Sequence, residues 1–256
     1  MHVPSLPAGT PVPEGFRVRS FACVEQDHYV WVWMGDGAPT HPAPAPIRDL
    51  HAHGWTQGVV EAACSADRQV DNILDSSHIP FVHTGTHWSY FLNKMFGFKN
   101  YEYETRLTDN GVAVFYPPAA DASQGFLNDD VRSYLEFELP DRFYVFQRGV
   151  KTNFYLVIHM VACGPERTRI EWLMQSRDRS QGVEWVDGEL ATLAEDRALL
   201  QSAEGNYARE GAGFERHVPA DFPPLLARRL LQMARAGDWP DKRPDLVQRK
   251  LVSVRQ

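Results

Sequence analysis

The segment Asp71-Asn72-Ile73-Leu74-Asp75-Ser76-Ser77-His78-Ile79-Pro80-Phe81-Val82-His83 holds two histidines five positions apart and an aspartate, Asp75, three residues before the first. Neutral imidazole is a common ligand for borderline divalent cations, and two histidines with one carboxylate and open positions describe a mononuclear Fe(II) site that activates oxygen. The same donors also suit a hydrolytic Zn(II) site, which would turn over without oxygen or a nicotinamide reductant. Which carboxylate completes the set is not fixed by this segment.

Histidines five apart on an unbroken helix point about 140° away from each other, by the 3.6-residue period. Ala66–Leu74 has helical composition, but Pro80 restricts Ile79, so the helix should end, bend or restart close to His78. Such a break would help the two rings converge on one ion.

The rest of the chain supplies the frame. Tyr101–Leu107 and Val112–Tyr116 flank Thr108-Asp109-Asn110-Gly111, whose Asn-Gly pair predicts a hairpin. Further strands are expected at Tyr134–Glu138, Phe143–Gly149, Phe154–Ala162 and Thr168–Gln175, with Gly164-Pro165-Glu166-Arg167 turning between the last two. Leu190, Leu193, Leu199 and Leu200 among acids and amides predict an amphipathic helix over Trp185–Glu204, and Pro223–Ala236 forms another. Strands followed by helices, without βαβ alternation, indicate an α+β fold with a large antiparallel sheet. Near the N-terminus, Pro4, Pro7, Pro11 and Pro13 exclude regular helix, and Phe16–Val24 and His28–Met34 read as two strands. The proline-dense Ala38–Pro46 then divides a small β piece, residues 1–46, from a main domain, residues 47–256.

Composition narrows the function classes. Lys plus Arg number 26 against 33 Asp plus Glu, a formal charge of -7, which gives no general electrostatic reason to bind nucleic acid. Hydrophobic residues at 43% and aromatics at 12% fit a globular enzyme, and no run approaches the roughly eighteen apolar residues of a membrane helix. The start has neither a basic nor an apolar leader region, so a cytoplasmic location is expected. Cys23, Cys64 and Cys163 are far apart and read as buried small apolar residues. His51 and His53 read as an exposed strand, and His87 and His159 as hydrogen-bonded structural histidines or pocket lining.

Val70 to His83 resembles the iron-binding segment of the Rieske non-haem iron oxygenases, whose large subunits carry Asp-x2-His-x4-His. Asn72 three residues before the acid, and Pro80-Phe81-Val82 between the histidines, most resemble the vanillate and dicamba O-demethylase branch. The resemblance implies a helix-grip α+β catalytic domain, with a curved antiparallel sheet and a helix enclosing an apolar pocket over Fe(II). It implies iron held by His78, His83 and an aspartate on a late helix. Asp196, in Ala194-Glu195-Asp196-Arg197-Ala198-Leu199-Leu200, occupies the matching place; Glu195 is the nearest substitute and Asp187 a weaker one. Asp75 would then be the electron-transfer bridge to a cluster histidine of a neighbouring subunit, and Asn72 would lie close behind the ligands.

The resemblance extends upstream, where Pro4–Gly9 through Tyr29–Asp36 is similar to the closing part of a Rieske β-domain, making residues 1–46 a remnant of one. A Rieske [2Fe-2S] centre takes two cysteines and two histidines, in this family as Cys-x-His and Cys-x2-His, and no cysteine here has a histidine at either spacing. The cluster and NAD(P)H are therefore expected to act only through a partner Rieske ferredoxin or reductase, by analogy with bacterial N-demethylation of methylxanthines. The implied activity is hydroxylation or oxidative O- or N-demethylation of a small aromatic or heteroaromatic substrate with O2. The family's assemblies imply a homotrimer or hetero-oligomer. The competing expectation is a helix-grip small-molecule-binding protein derived from such an oxygenase and lacking turnover.

Overall fold

Period-two alternation within the strands between residues 100 and 176 gives each strand two faces, and the short turns at 108–110, 139–141 and 165–166 make the strands they join antiparallel. The computed structural model describes residues 7, 9–11, 15, 19–40, 42–48, 54–86, 93–117, 133–148, 153–176, 186–210 and 212–255. The chain divides into two compact units, Met1–Leu50 and His51–Gln256.

In the first unit, β1 (Cys23–Gln26) and β2 (Tyr29–Val32) form a hairpin. Its two turn residues, Asp27 and His28, both have positive φ, as a two-residue turn matching strand twist demands. The Asp27 carboxylate accepts a 2.6 Å hydrogen bond from the Ile47 N–H. Of the strand expected over Phe16–Val24, residues 16–18 lie outside the described residues and 19–22 are not in a strand. Pairing runs only from Cys23↔Val32 to Gln26↔Tyr29, because the partner strand is short and is followed by the bends at 35–38. Arg19 donates instead to the Gly35 carbonyl and to Asp36.

The second unit is an eight-stranded sheet. Its strands are β3 (Trp55–Ala62), β4 (Asn100–Leu107), β5 (Gly111–Tyr116), β6 (Ser133–Glu138), β7 (Arg142–Arg148), β8 (Asn153–Gly164), β9 (Arg167–Ser176) and β10 (Arg249–Arg255). Their spatial order is β10-β4-β5-β6-β7-β8-β9-β3, antiparallel throughout. The central meander and the hairpin over Thr108–Gly111 match the alternation in the sequence. Gly111 is required there, since a Cβ would lie 1.8 Å from the Phe137 carbonyl oxygen. Both edge strands escape the pattern. β3 is interrupted by Gly58, over which the Trp172 indole packs so closely that a Cβ would meet it at 2.3 Å. β10 is charged at both ends and buries only Val252 and Val254.

The helices of this unit that position the site are α1 (Ala66–Leu74), α2 (Ile79–Val82), α3 (Val186–Glu210) and α4 (Phe222–Arg235). The helix expected to end at Glu204 runs on to Glu210. Val70 and Leu74 of α1, Leu193 of α3 and Leu226, Ala227, Leu230 and Leu231 of α4 join Val112, Phe137, Phe143, Ile158, Met160, Ile170 and Trp172 in one apolar cluster. The opposite face is buried too, through Phe115, Tyr144, Phe146, Tyr155, Val157 and Leu173. Cys64 is buried as expected, but Cys23 and Cys163 are exposed. The first sits on the two-stranded hairpin and the second at the irregular end of β8, where no further layer covers them. Among the described residues no helix is long and apolar enough to cross a membrane.

Ion pairs lock α1 onto α4. Arg228 spans Asp71 (2.7 Å) and Glu215 (2.5 Å), Arg68 also reaches Glu215 (2.8 Å), and Arg235 pairs with Asp67 (2.7 Å). Hydrogen bonds from Arg228 outweigh burial and hold the Glu215 carboxyl at about 2, below its ordinary 4.5. Burial acts the other way on Asp71, raising its carboxyl despite the same arginine. A depressed carboxyl stabilises the fold above its unfolded pKa and loses that contribution as pH falls toward its folded pKa. Glu215→Gln is therefore expected to be less stable than wild type at pH 7, with the gap in urea midpoint closing as pH falls from about 4.5 toward 2. A gap that stays constant with pH contradicts this.

Candidate metal centre

The two histidines converge because α1 ends at Leu74, four residues before His78, and a second short helix starts just after His78. Ser65 caps the start of α1, its Oγ accepting from the Arg68 N–H, and the helix ends at Asp75 in extended conformation (φ -82, ψ 97). The Asp75 carboxylate then folds the link, accepting from the Ser77 N–H at 2.8 Å and the Ser77 hydroxyl at 2.5 Å. His78 opens α2, with Pro80 in the first turn where its missing N–H costs nothing, and His83 closes it. The rings lie 5.2 Å apart at 71° to each other.

Each ring is held by its outer nitrogen. His78 Nδ1 lies 2.5 Å from the Asp75 carbonyl oxygen, and His83 Nδ1 lies 2.9 Å from Glu195 Oε2. Both partners only accept, so Nδ1 carries the proton and each Nε2 presents a lone pair inward. The two Nε2 atoms are 3.3 Å apart, and Asp196 Oδ1 on α3 lies 3.4 Å from His78 Nε2 and 3.2 Å from His83 Nε2. Asp196 is 8% exposed and His83 3%, and Oδ1 makes no well-aligned hydrogen bond to either ring. Three donors each about 2.1 Å from one ion, at angles between octahedral and tetrahedral, stand roughly 3.0–3.4 Å apart. The triangle fits an imidazole- and carboxylate-binding divalent cation, and its acceptor atoms have little else to bind.

The surroundings are anionic. Burial pushes the Asp196 carboxyl up, but His78 and His83 more than offset this and hold it at about 2. Burial lowers His83, but Asp196 and Glu195 together leave it raised. Glu189, seven residues before Asp196 on α3, is pushed up to about 7 by burial and by the Asp196 charge. Three carboxyl groups thus crowd two imidazoles, a balance that a cation relieves.

The sequence candidates now have places. His78, His83 and Asp196 form one group that could hold a metal ion. Glu195, the alternative ligand, faces the opposite nitrogen of His83 and also accepts from Thr86 Oγ1 at 2.6 Å. Asp187 is exposed in the first turn of α3 and takes no part. Asp75 and the buried Asn72 line a cleft of about 320 Å³ with Arg68, Asp71, Arg216 and His217, and none of the three converging residues lines it. His159 is buried with Nδ1 3.1 Å from Asp141 Oδ1, a structural pairing. His51, His53 and His87 lie outside the described residues. Thr86 and Glu189 were not anticipated; the seven-residue spacing of Glu189 from Asp196 was the available signal, since it returns to the same helix face.

If the converging atoms bind a cation, Asp196→Asn should lower Co(II) affinity by at least about tenfold in equilibrium dialysis, because the charge balance and one donor are lost together. Unchanged affinity contradicts that reading.

Residues 62–237 match the family described as Vanillate O-demethylase oxygenase C-terminal domain. Over 74 residues the chain is 35% identical to the oxygenase component of dicamba O-demethylase from Stenotrophomonas maltophilia, a match covering 28% of this chain and 22% of that protein. The sequence matches to chlorophyllide a oxygenases of Chlamydomonas reinhardtii and Oryza sativa subsp. japonica span only 12% and 13% of those proteins. Among solved structures, dicamba monooxygenase bound to dicamba superposes with a TM-score of 0.66 at 17% identity, over 88% of this chain and 73% of that one. Their shared architecture is the helix-grip α+β fold.

Proposed function

Because the chain belongs to the Vanillate O-demethylase oxygenase C-terminal domain family, we propose that it is the catalytic part of a mononuclear non-haem Fe(II) oxygenase. Its reaction would be hydroxylation, or oxidative O- or N-demethylation, of a small aromatic or heteroaromatic substrate. The observation that carries this reading is the buried triangle of His78 Nε2, His83 Nε2 and Asp196 Oδ1 with edges of 3.2–3.4 Å. Fe(II), when bound, supplies the oxygen chemistry, drawing electrons that start on NAD(P)H and pass through a [2Fe-2S] centre outside these 256 residues.

The chain's own residues supply the site. His78 and His83 present unprotonated nitrogens because their outer nitrogens are committed to Asp75 and Glu195. Asp196 supplies the negative charge, and its burial excludes water from that oxygen. Asp75 and Asn72 open on the polar cleft, so Asp75 is the side from which a Rieske ferredoxin or reductase would deliver electrons. Residues 1–46 would be the remnant of a Rieske-type β-domain and 47–256 the catalytic domain of a cytoplasmic homotrimer or hetero-oligomer.

Iron content tests the reading. Anaerobic loading should give one Fe(II) per chain in wild type and at least a tenfold loss, to about 0.1 or below, in His78→Ala. Equal iron in the variant sinks the proposal. Oxidation of a pre-reduced, separately supplied Rieske ferredoxin, with O2 and a methoxylated benzoate present, separates enzyme from binding protein. Oxidation that needs the iron of the wild-type site marks an enzyme; none above the rate in buffer marks the silent binding protein.

A further inference from the structure

We infer that Glu195, backed by Thr86, is a positioning residue that sets the tautomer and donor strength of His83, making the two histidines unequal ligands. The inference rests on the metal-centre reading above. Its basis is that two consecutive residues of α3 grip opposite nitrogens of one ring: Glu195 Oε2 lies 2.9 Å from Nδ1, and Asp196 Oδ1 lies 3.2 Å from Nε2. Neighbouring helical residues diverge by about 100°, so the imidazole fits into the angle between their side chains.

The two histidines differ in what holds them. His78 Nδ1 bonds a neutral main-chain carbonyl, that of Asp75 at 2.5 Å, while the Asp75 carboxylate stays beyond hydrogen-bond reach at 3.8 Å. His83 leans on a carboxylate, and a charged acceptor makes a stronger hydrogen bond that pushes electron density onto the far nitrogen. Thr86 Oγ1 donates to the same Oε2 at 2.6 Å, so one carboxylate oxygen collects two donors from the chain just after α2. That arrangement fixes the carboxylate as well as the ring. Removing such an outer partner typically costs 10–100-fold in metal affinity.

Co(II) is the probe, with its affinity measured by calorimetry and its visible bands recorded for wild type, Glu195→Ala, Glu195→Gln, Thr86→Val and His78→Ala. Glu195→Ala should weaken Co(II) binding about 10–100-fold and shift the bands. Glu195→Gln should fall between, because the amide oxygen still accepts from Nδ1–H but carries no charge, and Thr86→Val should show a smaller loss. A residue that only supports the fold gives a lower unfolding temperature with wild-type affinity and bands, and that result overturns the inference. Should Glu195→Ala not fold, Glu195→Gln decides by the same two readouts. If His78→Ala binds Co(II) like wild type, the metal-centre reading itself fails; if it loses Co(II) while both Glu195 variants bind like wild type, only the role of Glu195 fails.

Discussion

Crowding of acceptor atoms is the constraint on which the second unit is organised. Two Nε2 lone pairs and a carboxylate oxygen share a triangle with 3.2–3.4 Å edges, with Glu189 and Glu195 adding negative charge around it. Like charges about 4 Å apart cost roughly 4 kcal/mol at an effective dielectric constant of about 20, several times the net value of an ordinary hydrogen bond. A divalent cation bonded to all three atoms relieves it at its source.

Everything around the triangle holds it against this repulsion. The sheet buries both faces, giving α1, α3 and α4 a rigid floor. Arg228 and Arg235 fasten α1 to α4 through Asp71, Glu215 and Asp67, which holds the C-terminal end of α1 in place. From that end Asp75 turns the chain with its carboxylate and orients His78 with its carbonyl, two tasks for one residue. The long α3 then brings Asp196 and Glu195 to either side of His83.

Much of this was legible in the residues. The spacing of His78 and His83 with Pro80 between them requires a helix break, and the Asn-Gly pair at 110–111 requires a hairpin; both follow from backbone sterics that are local. Asp196 was legible only by its likeness to a family pattern, since one acid on a polar helix looks like any other. The roles of Glu195, Thr86 and Glu189 depend on which way α3 rotates against α2, a tertiary fact absent from local spacing. The edge strands β3 and β10 were hidden for a related reason. Gly58 is chosen by the Trp172 ring across the sheet, and β10 takes its conformation from pairing with β4, 143 to 155 positions away along the register from Arg249↔Arg106 to Arg255↔Asn100.

The most direct measurement is an anomalous difference map at the iron edge from crystals grown anaerobically with Fe(II). A single peak per chain is expected, about 2.1 Å from His78 Nε2, His83 Nε2 and Asp196 Oδ1, with Glu195 still bonded to His83 Nδ1. A map with no peak in the triangle, or with iron bound by Glu195 in place of Asp196, would contradict this.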